Sequence, residues 1–249
     1  MAVKDNFSHN SSNYAKFRPS YPLALLQHLA SLTTTKACAW DCGTGNGQVA
    51  VQLAKLFEKV YATDISQAQL DCAPLERNIK YSLQPAEQTN FPNAHFDLIV
   101  VAQAIHWFNF DSFYSEVKRT LKPNGIVAAI GYGVPTVSPE IDVLVAHFYT
   151  QIIGPYWDAE RKYIDENYET IPFPFREIAL PHFDNSYTWE LDHFLGYIGS
   201  WSAVKHYETK NATSPMPFLA SQLNAVWKNG ETRNVTFSML LRAGQIQTQ

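Results

Sequence analysis

The stretch Ala39-Trp40-Asp41-Cys42-Gly43-Thr44-Gly45-Asn46-Gly47 decides the fold of this chain. The apolar run at residues 37–40 predicts a strand, and residues 48–57 predict a helix with one apolar face. Between them glycine occupies every second position, which allows a tight turn and the close approach of a ligand to backbone N–H groups. A strand, a glycine turn and a helix in this order predict the nucleotide-binding opening of a doubly wound α/β sheet.

The spacing of the glycines indicates which ligand this turn holds. The dinucleotide fingerprint G-x-G-x-x-G requires a third glycine at position 48, but Gln48 stands there, and Asp41 precedes the turn. This arrangement resembles motif I of the class I S-adenosylmethionine-dependent methyltransferases. A glycine-rich turn without a ligand is the alternative. The resemblance implies that the cofactor contacts Asp41, Gly43, Thr44, Gly45, Asn46 and Gly47.

The second predicted strand, residues 59–63, ends at Asp64, about 20 residues past the first glycine. A carboxylate at that point can accept hydrogen bonds from both ribose hydroxyls. We also expect the adjacent Ile65 to contact the cofactor. Because the same spacing suits NAD, Asp64 does not distinguish the two cofactors, whereas the missing third glycine does.

Residues 14–22, YAKFRPSYP, resemble the arm that precedes the core in one branch of this family. That branch includes proteins similar to trans-aconitate methyltransferase and fungal small-molecule methyltransferases, in which the arm folds over the cofactor. The resemblance implies that Tyr14 faces the sulfonium, since an aromatic face attracts a cation by roughly 0.5–2 kcal/mol. It also implies that the Arg18 guanidinium forms a bidentate pair with the methionine carboxylate. A solvated arm is the alternative.

A turn after the third predicted strand is expected at the adenine. Residues 85–92, PAEQTNFP, resemble the family turn whose first residues contact the adenine edge, although Pro85 replaces the usual acidic residue. The resemblance implies a backbone contact at Ala86 and places Glu87 at the same edge. An exposed turn carboxylate is the alternative for Glu87.

The run FDLIVVA at residues 96–102 predicts a central parallel strand covered on both faces. With the following QAIHWF it resembles motif IV of the same branch, which implies that Ala102 and Gln103 contact the cofactor. His106 and Trp107 follow the strand, where open α/β sheets bind ligands. We expect His106 to act as a base or to orient the acceptor, with a hydrogen-bonded pocket-wall residue as the alternative. Trp107 is expected to wall the methyl site, with core packing as the alternative.

The order of elements predicts a Rossmann-like doubly wound sheet of seven strands with a helical cap from the C-terminal half. We expect a single domain that divides as follows: an N-terminal arm and helix (residues 1–35), a cofactor-binding core (36–135), a cap with one core strand (136–230) and a final strand (231–249). Within it we expect Leu23 to face inward and Asp111 to cap a helix. The cap is predicted to contain one or two helices in 136–170, a strand at 178–187, and helices at 191–207 and 217–227.

Composition sets the remaining expectations. The chain of 249 residues is 46% hydrophobic and has a formal net charge of -4, which gives no general attraction to nucleic acid or anionic lipid. Its three cysteines are expected to be reduced core residues, and no apolar run has the roughly 20 residues that span a bilayer. We therefore expect a cytoplasmic protein, monomeric or homodimeric, that has a small molecule as partner and no nucleic acid or membrane.

These features predict in-line transfer of a methyl group from S-adenosylmethionine, without a metal, to a carboxyl or hydroxyl oxygen of an organic acid or of an aromatic or apolar metabolite. Such a reaction asks the enzyme mainly to hold the acceptor in line with the methyl group and to exclude water. Tyr132, after the fifth predicted strand, is a weaker candidate for this site. A regulatory protein that binds the cofactor without catalysis and an NAD-linked dehydrogenase remain as alternatives.

Overall fold

The structure is a computed structural model, and it describes residues 17–246 of the chain. Its strands are β1 (Cys38–Cys42), β2 (Lys59–Asp64), β3 (Ile79–Leu83), β4 (Phe96–Ala102), β5 (Leu121–Thr136), β6 (Arg176–Glu177), β7 (Ser186–Glu190) and β8 (Thr232–Gln245). Its α-helices are α1 (Leu23–Ser31), α2 (Gln48–Leu53), α3 (Gln67–Leu70), α4 (Phe110–Thr120), α5 (Pro139–His147), α6 (Lys162–Asp165), α7 (Leu191–Gly199), α8 (Ser202–Asn211) and α9 (Met216–Asn224).

All of these strands belong to one sheet. Seven of them follow the order β3-β2-β1-β4-β5-β8-β6, and β7 pairs with β8 outside that path. The first five strands are parallel, whereas β8 runs antiparallel to β5, β6 and β7. The crossover from β3 to β4 on opposite sides of β1 and β2 confirms the predicted doubly wound α/β architecture, with one strand more than expected.

The central strand β4 is covered on both faces. Leu98 and Val100 pack into the hydrophobic cluster on one face of the sheet, and Ile99 and Val101 pack into the cluster on the other. Because successive side chains of a strand point to opposite faces, burial of both faces requires the unbroken apolar run seen in the sequence. The prediction for this strand is confirmed.

Several helix boundaries differ from the predictions. Helix α2 ends at Leu53 instead of residue 57, and α4 is capped by Asn109, whose side chain accepts from the Ser112 N–H at 3.0 Å, so that Asp111 lies in the first turn. Asparagine is as good an N-cap as aspartate, and it comes first in the chain. Leu23, expected inward, is 42% exposed, because α1 buries Leu25, Leu26, Leu29 and Ala30 instead.

The cap, defined here as residues 137–227, departs further from the predictions. No strand occupies 178–187 as a whole, since β6 ends before this segment and β7 begins near its end. The single helix predicted for 191–207 is two helices, α7 and α8, separated where Trp201 takes an extended conformation and is buried. Residues 139–165 form α5, a π-helical turn (Phe148–Ile152), two short 3-10 turns and α6.

Cys38, Cys42 and Cys72 are free thiols, but Cys72 is exposed, so the expectation that all three lie in the core is wrong for Cys72. Within residues 17–246, the helices are too short or too polar for any of them to cross a bilayer.

Candidate functional site

A cavity of about 800 Å³ lies at the carboxyl ends of the parallel strands. It brings together thirteen of the residues that the sequence predicted: Arg18, Gly43, Thr44, Gly45, Asn46, Asp64, Ile65, Ala86, Glu87, Ala102, Gln103, His106 and Trp107. Tyr132, the weaker candidate, lines it as well. Asp41 and Gly47 are not among the residues that line the cavity, and Tyr14 lies outside the described residues.

The glycine turn fits between the sheet and the cavity because its glycines lack side chains. Gly47 has φ +83°, and a Cβ there would lie 2.6 Å from the Tyr81 hydroxyl and 3.3 Å from the Cβ of Ala73. Gly45 has φ +55°, and a Cβ there would have only one neighbour within 4 Å, the Gln69 side-chain oxygen at 3.9 Å. Since Gly45 also lines the cavity, a side chain at this position would occupy space that a ligand can use.

Asp64 fastens this turn to the end of β2. Its Oδ2 accepts from the Gly45 N–H at 2.8 Å, and its Oδ1 accepts from the Ser66 N–H at 2.9 Å. A carboxylate oxygen can accept more than one hydrogen bond, so a ligand can share the Asp64 oxygens with these N–H groups. The carboxylate therefore both shapes the turn and lines the cavity.

Asp41 supports the turn from below. Its side chain is fully buried, Oδ2 accepts from the Thr44 hydroxyl at 2.5 Å, and Oδ1 has no hydrogen-bond partner in the described part of the chain. Burial raises the pKa of Asp41 to about 7, the charge of Asp64 acts in the same direction, and the Thr44 hydrogen bond opposes it. Asp41 does not line the cavity but supports Thr44, which does, and its contact with a cofactor stays a prediction.

Arg18 and Glu87 connect segments around the rim. Arg18 donates from Nη2 to the Ser200 carbonyl at 3.1 Å and lies 5.6 Å from the ring centre of Tyr197, which joins the arm to the cap. Glu87 accepts from the Asn109 N–H at 3.0 Å and so joins the turn after β3 to the start of α4. Both side chains still line the cavity.

Gln103 clamps the ends of two central strands. Its side-chain Nε2 donates to the Tyr132 carbonyl at 3.0 Å. Its side-chain Oε1 accepts from the Tyr132 N–H at 3.3 Å and from the Tyr168 hydroxyl at 3.4 Å. Its backbone has φ +53°, an unfavourable conformation for a residue with a side chain, and such strain concentrates at functional sites. Gln103 therefore holds the cavity floor in place as well as lining it.

His106 is buried in the cavity wall, with its ring centre 5.0 Å from the ring centre of Trp107. Neither ring nitrogen has a hydrogen-bond partner among residues 17–246, and Nδ1 is fully buried. The hydrogen-bonded wall residue that the sequence offered as an alternative is thus not what the structure shows. Burial, and then the nearby charge of Arg161, lower the pKa of His106 to about 3, so the imidazole is neutral at pH 7.

Two groups stand out among the lining residues that the sequence did not predict. Ser66 and Gln84 follow the ends of β2 and β3, and the rule that ligands lie beyond strand ends would have found them. Glu160, Tyr163 and Pro172 come from the cap and also line the cavity. No local signal marks these three, because tertiary packing brings them there.

The described part of the chain contains no group of three or more His, Cys, Asp or Glu side chains that could hold a metal ion.

Comparisons with known proteins agree with this geometry. The family model of the methyltransferase domain matches residues 40–129. A Dictyostelium discoideum protein assigned as a methyltransferase is 35% identical over 228 residues, which cover 90% of this chain and 87% of that protein. A Saccharomyces cerevisiae protein assigned as an S-adenosylmethionine-dependent methyltransferase is 27% identical over 67% of this chain and 59% of its own length. The solved structure of a protein from Anaeromyxobacter dehalogenans, assigned as a type II methyltransferase, superposes with a TM-score of 0.86 at 37% identity and covers 94% of this chain and 100% of that chain.

Proposed function

Because the chain belongs to the class I S-adenosylmethionine-dependent methyltransferases, we propose that it methylates a carboxyl or hydroxyl oxygen of a small organic acid or apolar metabolite. The observation that carries this proposal is the single cavity that extends from the glycine turn to His106 and Trp107 under the cap. Its volume of about 800 Å³ lies in the upper part of the range of roughly 300–1,000 Å³ for ligand pockets. That volume leaves room for a small acceptor beside a nucleoside-sized cofactor.

The residues of the cavity suit S-adenosylmethionine. Gly45 leaves space at the turn, the oxygens of Asp64 can accept from a ribose, Ala86 and Glu87 lie where an adenine edge is expected, and Arg18 can pair with the methionine carboxylate. When bound, this cofactor supplies a methyl group that its sulfonium has already activated. We assign Tyr14 to the sulfonium on the family resemblance of the arm.

The work left to the protein is to orient the acceptor and to keep water out. Trp107 and Phe108 wall the cavity together with Tyr163 and Pro172 of the cap. When the acceptor oxygen is held in one orientation beside the methyl group, the two reactants no longer have to meet in solution. This gain in proximity supplies a large part of the rate enhancement in such transfers. Excluding water also strengthens the polar contacts that hold the acceptor.

We assign His106 to orienting the acceptor, not to proton removal. A general base works best with a pKa near the working pH, and that of His106 is about 3. The variant His106→Gln keeps a neutral hydrogen-bonding group, so we expect turnover to stay within about tenfold of the wild type from pH 6 to 9. Turnover is measured with a labelled methyl donor, and a loss of about 10²-fold or more would show that His106 is a base.

The experiment that tests the proposed function has two parts. Calorimetry compares uptake of S-adenosylhomocysteine with uptake of NADH, and a metabolite extract with labelled S-adenosylmethionine is then searched for labelled products. We expect uptake of S-adenosylhomocysteine and a labelled small molecule. Uptake without any labelled product would favour a regulatory protein, and uptake of NADH alone would favour a dehydrogenase.

The variant Asp64→Ala tests the cofactor assignment. Loss of the carboxylate leaves ribose hydroxyls without acceptors, and we expect S-adenosylhomocysteine to bind about 1–3 kcal/mol more weakly. Asp142→Ala is the matched control, because Asp142 also accepts a backbone N–H, from Val137 at 2.7 Å, but does not line the cavity. Equal affinities of the two variants would contradict the ribose assignment.

A further inference from the structure

A smaller pocket of about 40 Å³ adjoins the main cavity. Four residues line both spaces, namely Arg18, Gln103, His106 and Trp107, and the cap supplies the remaining walls, namely Trp157, Asp158, Arg161, Ile164, Trp201 and Ser202. One water requires roughly 10–15 Å³ measured in the same way, so this side pocket admits a group of about three heavy atoms. A ligand in the main cavity can therefore extend one small group into it.

Arg161 is held rigidly at this side pocket. Its guanidinium lies 4.5 Å from the ring centre of Trp157 and 5.3 Å from that of Tyr149, and its Nε donates to the Tyr149 hydroxyl at 2.7 Å and contacts Asp165 at 3.3 Å. The side chain is only 14% exposed. Neither Nη atom has an acceptor among residues 17–246, so the outer edge of this fixed, partly exposed guanidinium keeps its donors available.

The other groups around the side pocket favour a negative charge. Arg18 and Arg161 are cationic, His106 is neutral with its buried Nδ1 unpartnered in the described chain, and Asp158 is the one carboxylate among the lining residues. Asp158 is 12% exposed, and its Oδ2 lies 3.7 Å from Nδ1 of His206. Because Arg18 can pair with the cofactor, the donors left for the acceptor are the Nη atoms of Arg161, and a guanidinium edge disfavours an ammonium group and favours an anion.

We propose that the side pocket anchors a carboxylate of the acceptor and that Arg161 selects it. A carboxylate is planar, has three heavy atoms and matches the two parallel donors of a guanidinium edge. This inference rests on the proposed function, because the rest of the acceptor has to lie in the main cavity beside the cofactor. The anchored carboxylate is the recognition group, and the oxygen that receives the methyl group is a different atom of the acceptor.

The test uses phenylacetate and its neutral counterpart phenylacetamide as probes. Calorimetry on the protein saturated with S-adenosylhomocysteine should show phenylacetate binding at least about tenfold more tightly than the amide. Arg161→Gln should abolish this preference, whereas Arg161→Lys should keep part of it as a point charge without the fork. Arg233→Gln is the matched control, since Arg233 also lies over a tryptophan, Trp227, and pairs with Glu231, but lies outside the side pocket.

Each adverse outcome has a distinct meaning. Equal affinity of the wild type for the two probes, with S-adenosylhomocysteine bound, would overturn the anchor and leave the proposed function standing, whereas no uptake of S-adenosylhomocysteine would overturn the proposed function itself. If Arg161→Gln weakens the binding of S-adenosylhomocysteine instead of the binding of phenylacetate, the side pocket serves the cofactor and the proposal fails. If Arg161→Gln does not fold, Ser202→Leu fills the pocket from another wall, and retained phenylacetate binding in that variant would refute the anchor.

Discussion

The glycine turn and the cap face each other across one cavity, and different interactions hold them. The turn depends on backbone groups, with Asp64 accepting from Gly45 and Ser66, and its parts lie close together in the sequence. The cap depends on aromatic side chains from distant segments, such as Trp157 and Trp201 with ring centres 5.7 Å apart. The difference separates two tasks: the turn suits a ligand shared by a whole family, while the cap can vary with the acceptor.

The largest expected effect comes from adding one methyl group behind the glycine turn. Gly47→Ala places a Cβ 2.6 Å from the Tyr81 hydroxyl in a left-handed backbone, so we expect the free energy of unfolding to fall by about 3 kcal/mol. Gly230 is the matched control, with φ +76° and nothing within 4 Å, and Gly230→Ala should cost only about 1 kcal/mol of backbone strain. Denaturant unfolding measures both, and equal losses would show that close packing does not hold the turn.

A second pair of variants tests how the arm docks on the cap. A Cβ at Gly196 of α7 would lie 2.6 Å from the ring of Phe17, so Gly196→Ala should displace the arm and lower the free energy of unfolding by about 1–2 kcal/mol. A Cβ at Gly199 of the same helix would have its nearest neighbour, Met216, at 3.9 Å, and Gly199→Ala should be neutral or stabilising by up to about 0.5 kcal/mol.

The same pair reports on the cofactor. Because Arg18 follows Phe17 and lines the cavity, Gly196→Ala should also lower the affinity for S-adenosylhomocysteine several-fold. Gly199→Ala should leave this affinity unchanged, and calorimetry measures both. If both variants bind S-adenosylhomocysteine as the wild type does, docking of the arm on α7 is irrelevant to the cofactor.

The smallest expected effect concerns the charge below the turn. Burial raises the pKa of Asp41 from its ordinary value of 3.8 to about 7, so the folded state holds the proton more tightly than the unfolded state. The stability that this group contributes is therefore present below pH 4 and is lost as the pH rises through 7. Asp41→Asn should gain about 1 kcal/mol in free energy of unfolding relative to the wild type between pH 6 and pH 8. Urea unfolding at pH 6 and pH 8 measures the free energy of unfolding of both proteins. A difference between variant and wild type that is the same at the two pH values would contradict the raised pKa of Asp41.

The same contrast explains what the sequence predicted. Strand β4 and the glycine turn were predicted correctly, because an apolar run buried on both faces and a set of left-handed positions are determined by neighbouring residues. Most predicted site residues line the cavity for the same reason. Asp41 did not, because its position behind Thr44 depends on how the turn folds back, which no spacing rule describes.

The cap was predicted poorly because its structure depends on partners far along the chain. Strand β7 exists through its pairing with β8, and the propensity of residues 178–187 alone misplaced it. Burial of Trp201 against Trp157 and Tyr197 separates α7 from α8, although the sequence 191–207 has helical periodicity throughout. Arg161 carried no motif at all, and only the stacked rings around it distinguish it from a surface arginine.

Strand β8 has a consequence for how the chain is made. It pairs with β5, β6 and β7, and the ribosome synthesises all three before it. Until β8 emerges, the outer edge of β5 exposes unpaired backbone groups, which is the kind of surface that chaperones protect during translation. Folding of the cap onto the sheet is accordingly a late event during synthesis, whereas the glycine turn can form early.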